Sequence, residues 1–221
     1  MIKAIIFDLD GTLVDTIGDI GYAINEMLKL HGFPLHDRAG HLRHVNYGAR
    51  ELVRRSLPEE ARQDEELISR CLAEYEELYG QRYMCDTVLY PGISAALAAL
   101  KEAGYPLSVL SNKQENYVKD IVATLLPSHT FFRVGGQGEF PCKPDPAYAL
   151  RIAEELGLRP DEVAFIGDSH VDMQTARRAG MHPVGVCWGY RDRETLLENG
   201  AELLCDTAAE LVRVPAALEA L

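Results

Sequence analysis

Read for its alternation of apolar and polar positions, the chain falls into three textures. The first fifteen residues, MIKAIIFDLDGTLVD, hold a short apolar run, Ile5, Ile6 and Phe7, which predicts a buried strand. It gives way abruptly to Asp8, Leu9, Asp10, Gly11 and Thr12. From 16 to about 86 the apolar positions keep a helical period. Ile17, Ile20, Ile24, Met27 and Leu28 mark a helix over 16–31, opened by Asp15 or Thr16 and closed by Gly32 and Pro34. A His- and Arg-rich stretch turns around Gly48 and leads into a short helix carrying Leu52, Val53 and Leu57. A longer helix over 65–83 places Leu67, Ile68, Cys71, Leu72, Tyr75 and Leu78 on one side. No strand is predicted here, and the stretch reads as a helical insert.

From Val88 onward, strands alternate with helices. Apolar runs predict strands over 107–110, 131–134, 163–166, 184–187 and 203–205. The first stops at Ser111-Asn112-Lys113 and the third at Gly167-Asp168-Ser169. Helices are predicted after Pro91-Gly92 up to Gly104, over 116–126, up to about Gly157, up to Ala179 with Gly180 as its stop, and over 193–199. This alternation implies an α/β fold, a doubly wound parallel sheet with helices on both faces. The expected division is a core of 1–15 with 87–221, and a small helical domain of 16–86 inserted after the first strand.

In such sheets ligands bind beyond the carboxyl ends of the strands. Asp8 and Asp10, Ser111 and Asn112, and Gly167 and Asp168 each follow a predicted strand. The Lys143-Pro144-Asp145-Pro146 loop also leads away from one, so four segments can converge on one sheet edge. Side chains two apart on a strand point the same way, which sets Asp8 beside Asp10. Paired carboxylates repel unless a cation lies between them, an arrangement for metal-assisted acid–base or nucleophilic chemistry. Taken one at a time, each has an ordinary alternative: turn chemistry for Ser111-Asn112, a helix cap for Asp168, solvated surface for Asp172 and Lys143.

Composition narrows the partners. A net charge of -12 makes nucleic acid and anionic membrane surfaces poor candidates, and an anionic substrate would need a local cation such as Lys143. The start of the chain lacks the pattern of a secretory leader, and no stretch is apolar enough to span a bilayer. Five scattered cysteines, with no paired spacing, read as free thiols. The expectation is a cytoplasmic protein, monomer or homodimer.

Taken together, DLDGTLVD, SN, KPDP and GDSHVD, in that order, resemble the four motifs of the haloacid dehalogenase-like superfamily, and the resemblance covers the whole chain. It implies that Asp8 is the nucleophile of phosphoryl transfer and Asp10 the general acid and base. It implies Mg2+ held by Asp8, the backbone carbonyl of Asp10 and Asp168, with Asp172 binding a metal water or orienting these ligands. Ser111 and Lys143 would hold the phosphoryl oxygens, with Thr12 and Asn112 in the substrate-binding set. Asp10 distinguishes this pattern from dehalogenases, which lack the second Asp. The insert occupies the place of the superfamily's helical cap, whose candidate substrate-facing residues are Arg43, Tyr47, Gly48 and Arg50. Solvated helix-end charges are the alternative for the two arginines.

More locally the chain is similar to bacterial phosphoglycolate phosphatases in NYGARELVRR, SNK, KPDP, GDSHVDMQTARRAG and VGVCWGYR. GQGEF before Pro141 departs from the more usual acidic loop, and Cys142 and His170 receive no role. The expected activity is Mg2+-dependent hydrolysis of a small phosphorylated metabolite through an aspartyl-phosphate, with 2-phosphoglycolate as the example. A pyrophosphatase, a sugar-phosphate phosphatase, a beta-phosphoglucomutase-like phosphomutase and a non-catalytic binding module are the alternatives.

Overall fold

The computed structural model describes residues 1–126, 131–138 and 140–220, so Glu139 of the GQGEF stretch lies outside the described residues. The chain divides into two compact units, Met1–Val14 with the chain from Leu89 onward, and Asp15–Val88. Its passages between them run through the short strands β2 (Val14–Asp15) and β3 (Val88–Leu89).

The first unit is built on six strands: β1 (Ala4–Phe7), β4 (Leu107–Gln114), β5 (Phe131–Gln137), β6 (Val163–Gly167), β7 (His182–Val186) and β8 (Leu203–Cys205). They lie in the order β5-β4-β1-β6-β7-β8, and every pairing is parallel. Strands covered on both faces read as unbroken apolar runs, and β1 and β6 are buried at every position. The helices are α5 (Ile93–Glu102), α6 (Glu115–Leu125), α7 (Ala147–Glu155), α8 (His170–Ala179), α9 (Arg193–Glu198) and α10 (Val214–Leu218). One side of the core joins Ala4 and Ile6 of β1 and Val163 and Phe165 of β6 to Tyr148 and Ile152 of α7 and Ala176 of α8. Phe7 pairs with Val109 on one side and Ile166 on the other. The strands following β1 build outward one way and those from β6 the other, so the order reverses between β1 and β6. Asp8 and Asp168 leave the sheet at that point.

The ends of β4 and β5 differ most from expectation. β4 does not stop at Ser111-Asn112-Lys113 but runs through it to Gln114, and β5 continues to Gln137 alongside. Gly136 is what lets the chains run so close, since a Cβ there would sit 2.6 Å from the Lys113 carbonyl oxygen and from the Glu115 Cα. β1 ends at Phe7, although the Asp8 N–H still donates to the Ile166 carbonyl at 2.9 Å.

The second unit is helical: α1 (Ile17–Leu30), α2 (Arg38–His44), α3 (Ala49–Ser56) and α4 (Glu65–Gly80). Thr16 occupies the N-cap of α1, but it is the Asp15 carboxylate that accepts from the Ile17 N–H at 3.2 Å. α4 ends at Gly80 rather than 83, and it buries Ile68, Cys71, Tyr75 and Tyr79, leaving Leu67, Leu72 and Leu78 half-buried. Asp19, fully buried on α1, accepts from the Asp86 N–H and the Thr87 hydroxyl, fastening the segment after α4. All five cysteines are free, and among the described residues no helix is long and apolar enough to cross a membrane.

Candidate active site

The candidate site lies wholly in the first unit, at the carboxyl ends of its strands. Asp8 follows β1, Asp168 follows β6, and Asp172 stands on the first turn of α8. One carboxylate oxygen from each of these three lies within 4.8 Å of the others. Lys143, on the loop before α7, reaches in with its ammonium 2.8 Å from Asp8 Oδ1 and 2.7 Å from Asp172 Oδ1. Asp168 and Asp172 are fully buried, and Asp8 and Lys143 are only 4% and 5% exposed.

The local sequence explains this convergence. Ser169, not Asp168, caps α8: its hydroxyl accepts from the Asp172 N–H, while the Asp172 carboxylate accepts from the Ser169 N–H at 3.1 Å and its hydroxyl at 2.6 Å. That reciprocal capping box frees Asp168 and fixes Asp172 against Lys143. Asp168 is held by the Tyr190 N–H at 2.7 Å and the Thr12 hydroxyl at 3.4 Å. Gly11, with φ +86°, and Gly189 press on it so closely that a Cβ at either would lie 2.3 Å and 2.2 Å from Asp168 atoms. Only residues without a side chain permit that approach.

Three carboxylates against one ammonium leave the centre short of positive charge. Burial, then the charge of Asp172, pushes the Asp8 carboxyl up to about 7, with Lys143 pulling the other way. Burial followed by Asp172 and Asp8 raises Asp168 well above the usual carboxylate range. Burial alone would lower Lys143, but Asp172 and Asp8 outweigh it and hold the ammonium above the ordinary lysine range. A paired carboxylate normally becomes more acidic; Asp8 does the reverse because burial, and then the charge of Asp172, outweigh the pull of Lys143. Buried, converging, all-oxygen donors with surplus negative charge suit a hard divalent ion such as Mg2+. The residues present fit that ion.

Several predicted site residues take places that the sequence did not indicate. The Asp10 carboxylate stands apart from the three, 2.9 Å from the Lys113 ammonium and 3.4 Å from the Ser111 hydroxyl. Asn112, expected with the substrate-binding groups, turns its amide to the Lys143 peptide: Oδ1 accepts from the Lys143 N–H at 2.7 Å and Nδ2 donates to its carbonyl at 2.9 Å. Thr12, expected in the same set, gives its hydroxyl to Asp168. In the helical unit Arg50 is engaged with Glu65 at 2.7 Å and with Ser69. Tyr47 lies under Arg55, whose guanidinium carbon is 3.7 Å from the ring centroid. Gly48, at φ +84°, occupies the N-cap of α3, and Arg43 is exposed in the last turn of α2. Cys142 is half-buried with its thiol pushed up by burial, and His170 is the first residue of α8.

Reading by motif quoted SNK and VGVCWGYR but gave Lys113 and the Trp188–Tyr190 segment no place in the site. Trp188 donates its indole N–H to the Thr12 carbonyl at 3.0 Å, and Tyr190 donates its backbone N–H to Asp168. The signal was available: the segment follows β7, and the carboxyl-end rule applied to that strand would have included it.

The chain as a whole is similar to known proteins. A family model described as haloacid dehalogenase-like hydrolase matches residues 5–186. The chain belongs to that family. A phosphoglycolate phosphatase of Chromobacterium violaceum is 36% identical over 213 residues, covering 95% of each chain. One from Nitrosospira multiformis is 34% identical over 219 residues, covering 96% of this chain and 95% of its own. Among solved structures, a predicted phosphoglycolate phosphatase from Haemophilus somnus superposes with a TM-score of 0.90 at 29% identity, over 97% of this chain and 98% of that one. Together the family and these phosphatase relatives give the enzyme class as phosphoric monoester hydrolysis of a small phosphorylated substrate.

Proposed function

We propose that this hydrolase is a Mg2+-dependent phosphomonoesterase that works through an aspartyl-phosphate on Asp8, and that its substrate is a small carboxylated phosphomonoester of the 2-phosphoglycolate type. The observation that carries the reading is the buried ammonium of Lys143 lying between Asp8 and Asp172, with Asp168 in reach of both. The substrate class rests on what the relatives are named.

In this reading an Asp8 carboxylate oxygen attacks phosphorus in line, and its bond to phosphorus forms as the bond to the leaving oxygen breaks. Asp10 gives that oxygen its proton. It then takes a proton from the water that attacks the aspartyl-phosphate, and cleavage of the Asp8 oxygen–phosphorus bond returns the carboxylate and releases phosphate. Lys143 orients Asp8 and sets fixed positive charge against the phosphoryl oxygens. The Ser111 hydroxyl and neighbouring backbone N–H groups take the remaining oxygens. Lys113 holds the Asp10 carboxylate in place, and Asn112 positions Lys143 rather than touching substrate. Asp8, Asp168 and the Asp10 carbonyl would hold the ion, with Asp172 behind them. When bound, Mg2+ neutralises the carboxylate set and draws charge from the phosphoryl oxygens. The helical unit is assigned the role of the family's cap, setting substrate choice, with Arg43 its candidate partner for the substrate carboxylate.

The test is phosphate release from 2-phosphoglycolate, a panel of other metabolite monoesters and a generic aryl phosphate, with Mg2+ and with a chelator. Activity should require Mg2+ and vanish in Asp8→Asn. Turnover retained by that variant overturns the nucleophile assignment. No preference for 2-phosphoglycolate across the panel overturns the substrate class alone.

A further inference from the structure

The helical unit contains a second group of metal-binding side chains, far in chemistry from the carboxylate centre. His31 is the C-cap of α1, and Cys71 and Glu74 lie one turn apart on α4. One ligand atom from each of the three falls within 4.8 Å of the others. We propose that His31, Cys71 and Glu74 form a site for a borderline divalent cation of the Zn2+ class, which clips the C-terminal end of α1 to α4.

The donor set selects the ion. One imidazole nitrogen, one thiolate sulfur and one carboxylate oxygen match Zn2+ and its neighbours, whereas Mg2+ takes oxygen alone. Three protein ligands leave a tetrahedral ion one position for water. The side chains of His31 and Glu74 are 17% and 28% exposed, so that position can open to solvent, while Cys71 is fully buried beneath them.

The ligands are also held before any ion arrives. Cys71 and Glu74 at i and i+3 share one face of α4. The His31 ring is stacked on Phe33, with centroids 5.8 Å apart and planes 14° from parallel. The backbone there is set by the helix end, where the Phe33 N–H donates to the Leu28 carbonyl at 3.0 Å. His31 Nε2 and Glu74 Oε2 are 2.6 Å apart and hydrogen-bonded. Binding moves the ring hydrogen of His31 to its other nitrogen, and the Cys71 thiol proton leaves to solvent as the thiolate takes the cation. Burial, followed by the charge of Glu74, pushes the Cys71 thiol up to about 11, so affinity should rise with pH. An ordinary His–Glu hydrogen bond between two helices explains the first pair of groups but gives the thiol no part, and the test turns on that difference.

The experiment uses the full chain in excess Mg2+, which keeps the carboxylate centre supplied, and titrates Co2+ alone as a spectroscopic stand-in for Zn2+. The expected result is a near-ultraviolet thiolate-to-cobalt absorption band that saturates at one equivalent and is bleached by Zn2+. Cys71→Ser should abolish the band. His31→Gln and Glu74→Gln, on the more exposed side, should retain native circular dichroism and weaken Co2+ affinity by about tenfold or more. The absence of a band in the parent protein overturns the proposal. So does a band that survives Cys71→Ser, or His31→Gln and Glu74→Gln variants that both bind Co2+ like the parent. The site is independent of the hydrolytic reaction, because phosphate release in Mg2+ is expected to survive all three substitutions.

Discussion

Asn112→Ala separates positioning from substrate binding at the end of β4. The Asn112 amide holds both polar groups of the Lys143 peptide, at 2.7 and 2.9 Å, in a region where Lys143 is 5% exposed. Removing it strands a buried N–H and a buried carbonyl. A net hydrogen bond contributes about 1 kcal/mol and a stranded buried partner costs about 1–3 kcal/mol, so a loss of roughly 2–4 kcal/mol is expected after local relaxation. For a chain of this size each kcal/mol lowers Tm by about 2–4 °C, which places the fall at roughly 5–15 °C. The kinetic effect is separate. The Lys143 ammonium meets Asp8 and Asp172 at 2.8 and 2.7 Å. A displacement of about 1 Å breaks both contacts, and a shift of that size costs about a hundredfold in rate. Because the amide touches backbone, kcat should fall while KM changes little. The assay is steady-state phosphate release at saturating Mg2+, run below both melting temperatures, with thermal unfolding alongside. An Asn112 that binds substrate predicts the opposite split, a raised KM with kcat preserved. That result, or an undiminished kcat despite the lowered Tm, would refute the positioning role.

Four further outcomes are expected. Asp8 is raised in the folded protein to about 7 from an ordinary 3.8, so above pH 4 the folded state binds more protons than the unfolded one; that contribution to stability is full below about pH 4 and is lost as pH rises toward 7. Mg2+ relieves the same excess charge, so the gap in Tm with and without Mg2+ should widen from pH 4 to 7, and a constant gap would count against a cation at these carboxylates. Gly11→Ala meets both a φ of +86° and a contact 2.3 Å from Asp168 Oδ2; it should cost about 1–2 kcal/mol from the backbone and weaken Mg2+ binding about 10–100-fold, measured by calorimetry. Arg43→Ala should raise KM for 2-phosphoglycolate about tenfold or more, since a charged hydrogen bond contributes about 1.5–3 kcal/mol, and leave a generic aryl phosphate unaffected. Arg50→Ala, which removes an exposed pair with Glu65, should change KM for neither substrate; equal shifts in both assays would remove Arg43 from recognition.

How much could be read from the chain depended on the kind of order involved. β1 and β6 were visible because strands buried on both faces leave unbroken apolar runs, and the polar residues after them marked the sheet edge. Ser111, Asn112 and Lys113 looked like a loop for the same reason, since polar runs ordinarily end strands. Here β5 carries them on to Gln114, and their side chains bind Asp10 and the Lys143 peptide instead of water. Leu67, Leu72 and Leu78 fit a helical stripe, yet α4 buries Tyr75 and Tyr79 more deeply. Apolarity says that a residue prefers cover, not which neighbour supplies it.

By itself the sequence determined where the six sheet strands and most helices fall along the chain, though not β2, β3, α2 or α10, and the kinds of chemistry available near the strand ends. Those follow from periodicity, which compares a residue with its near neighbours along the chain. Only the tertiary structure decided which charges meet: Lys143 with Asp8 and Asp172, Lys113 with Asp10, Arg50 with Glu65, and Cys71 beside His31 and Glu74. Such pairings depend on distances between remote segments and on how much water packing removes, and neither quantity is written in any local stretch of residues.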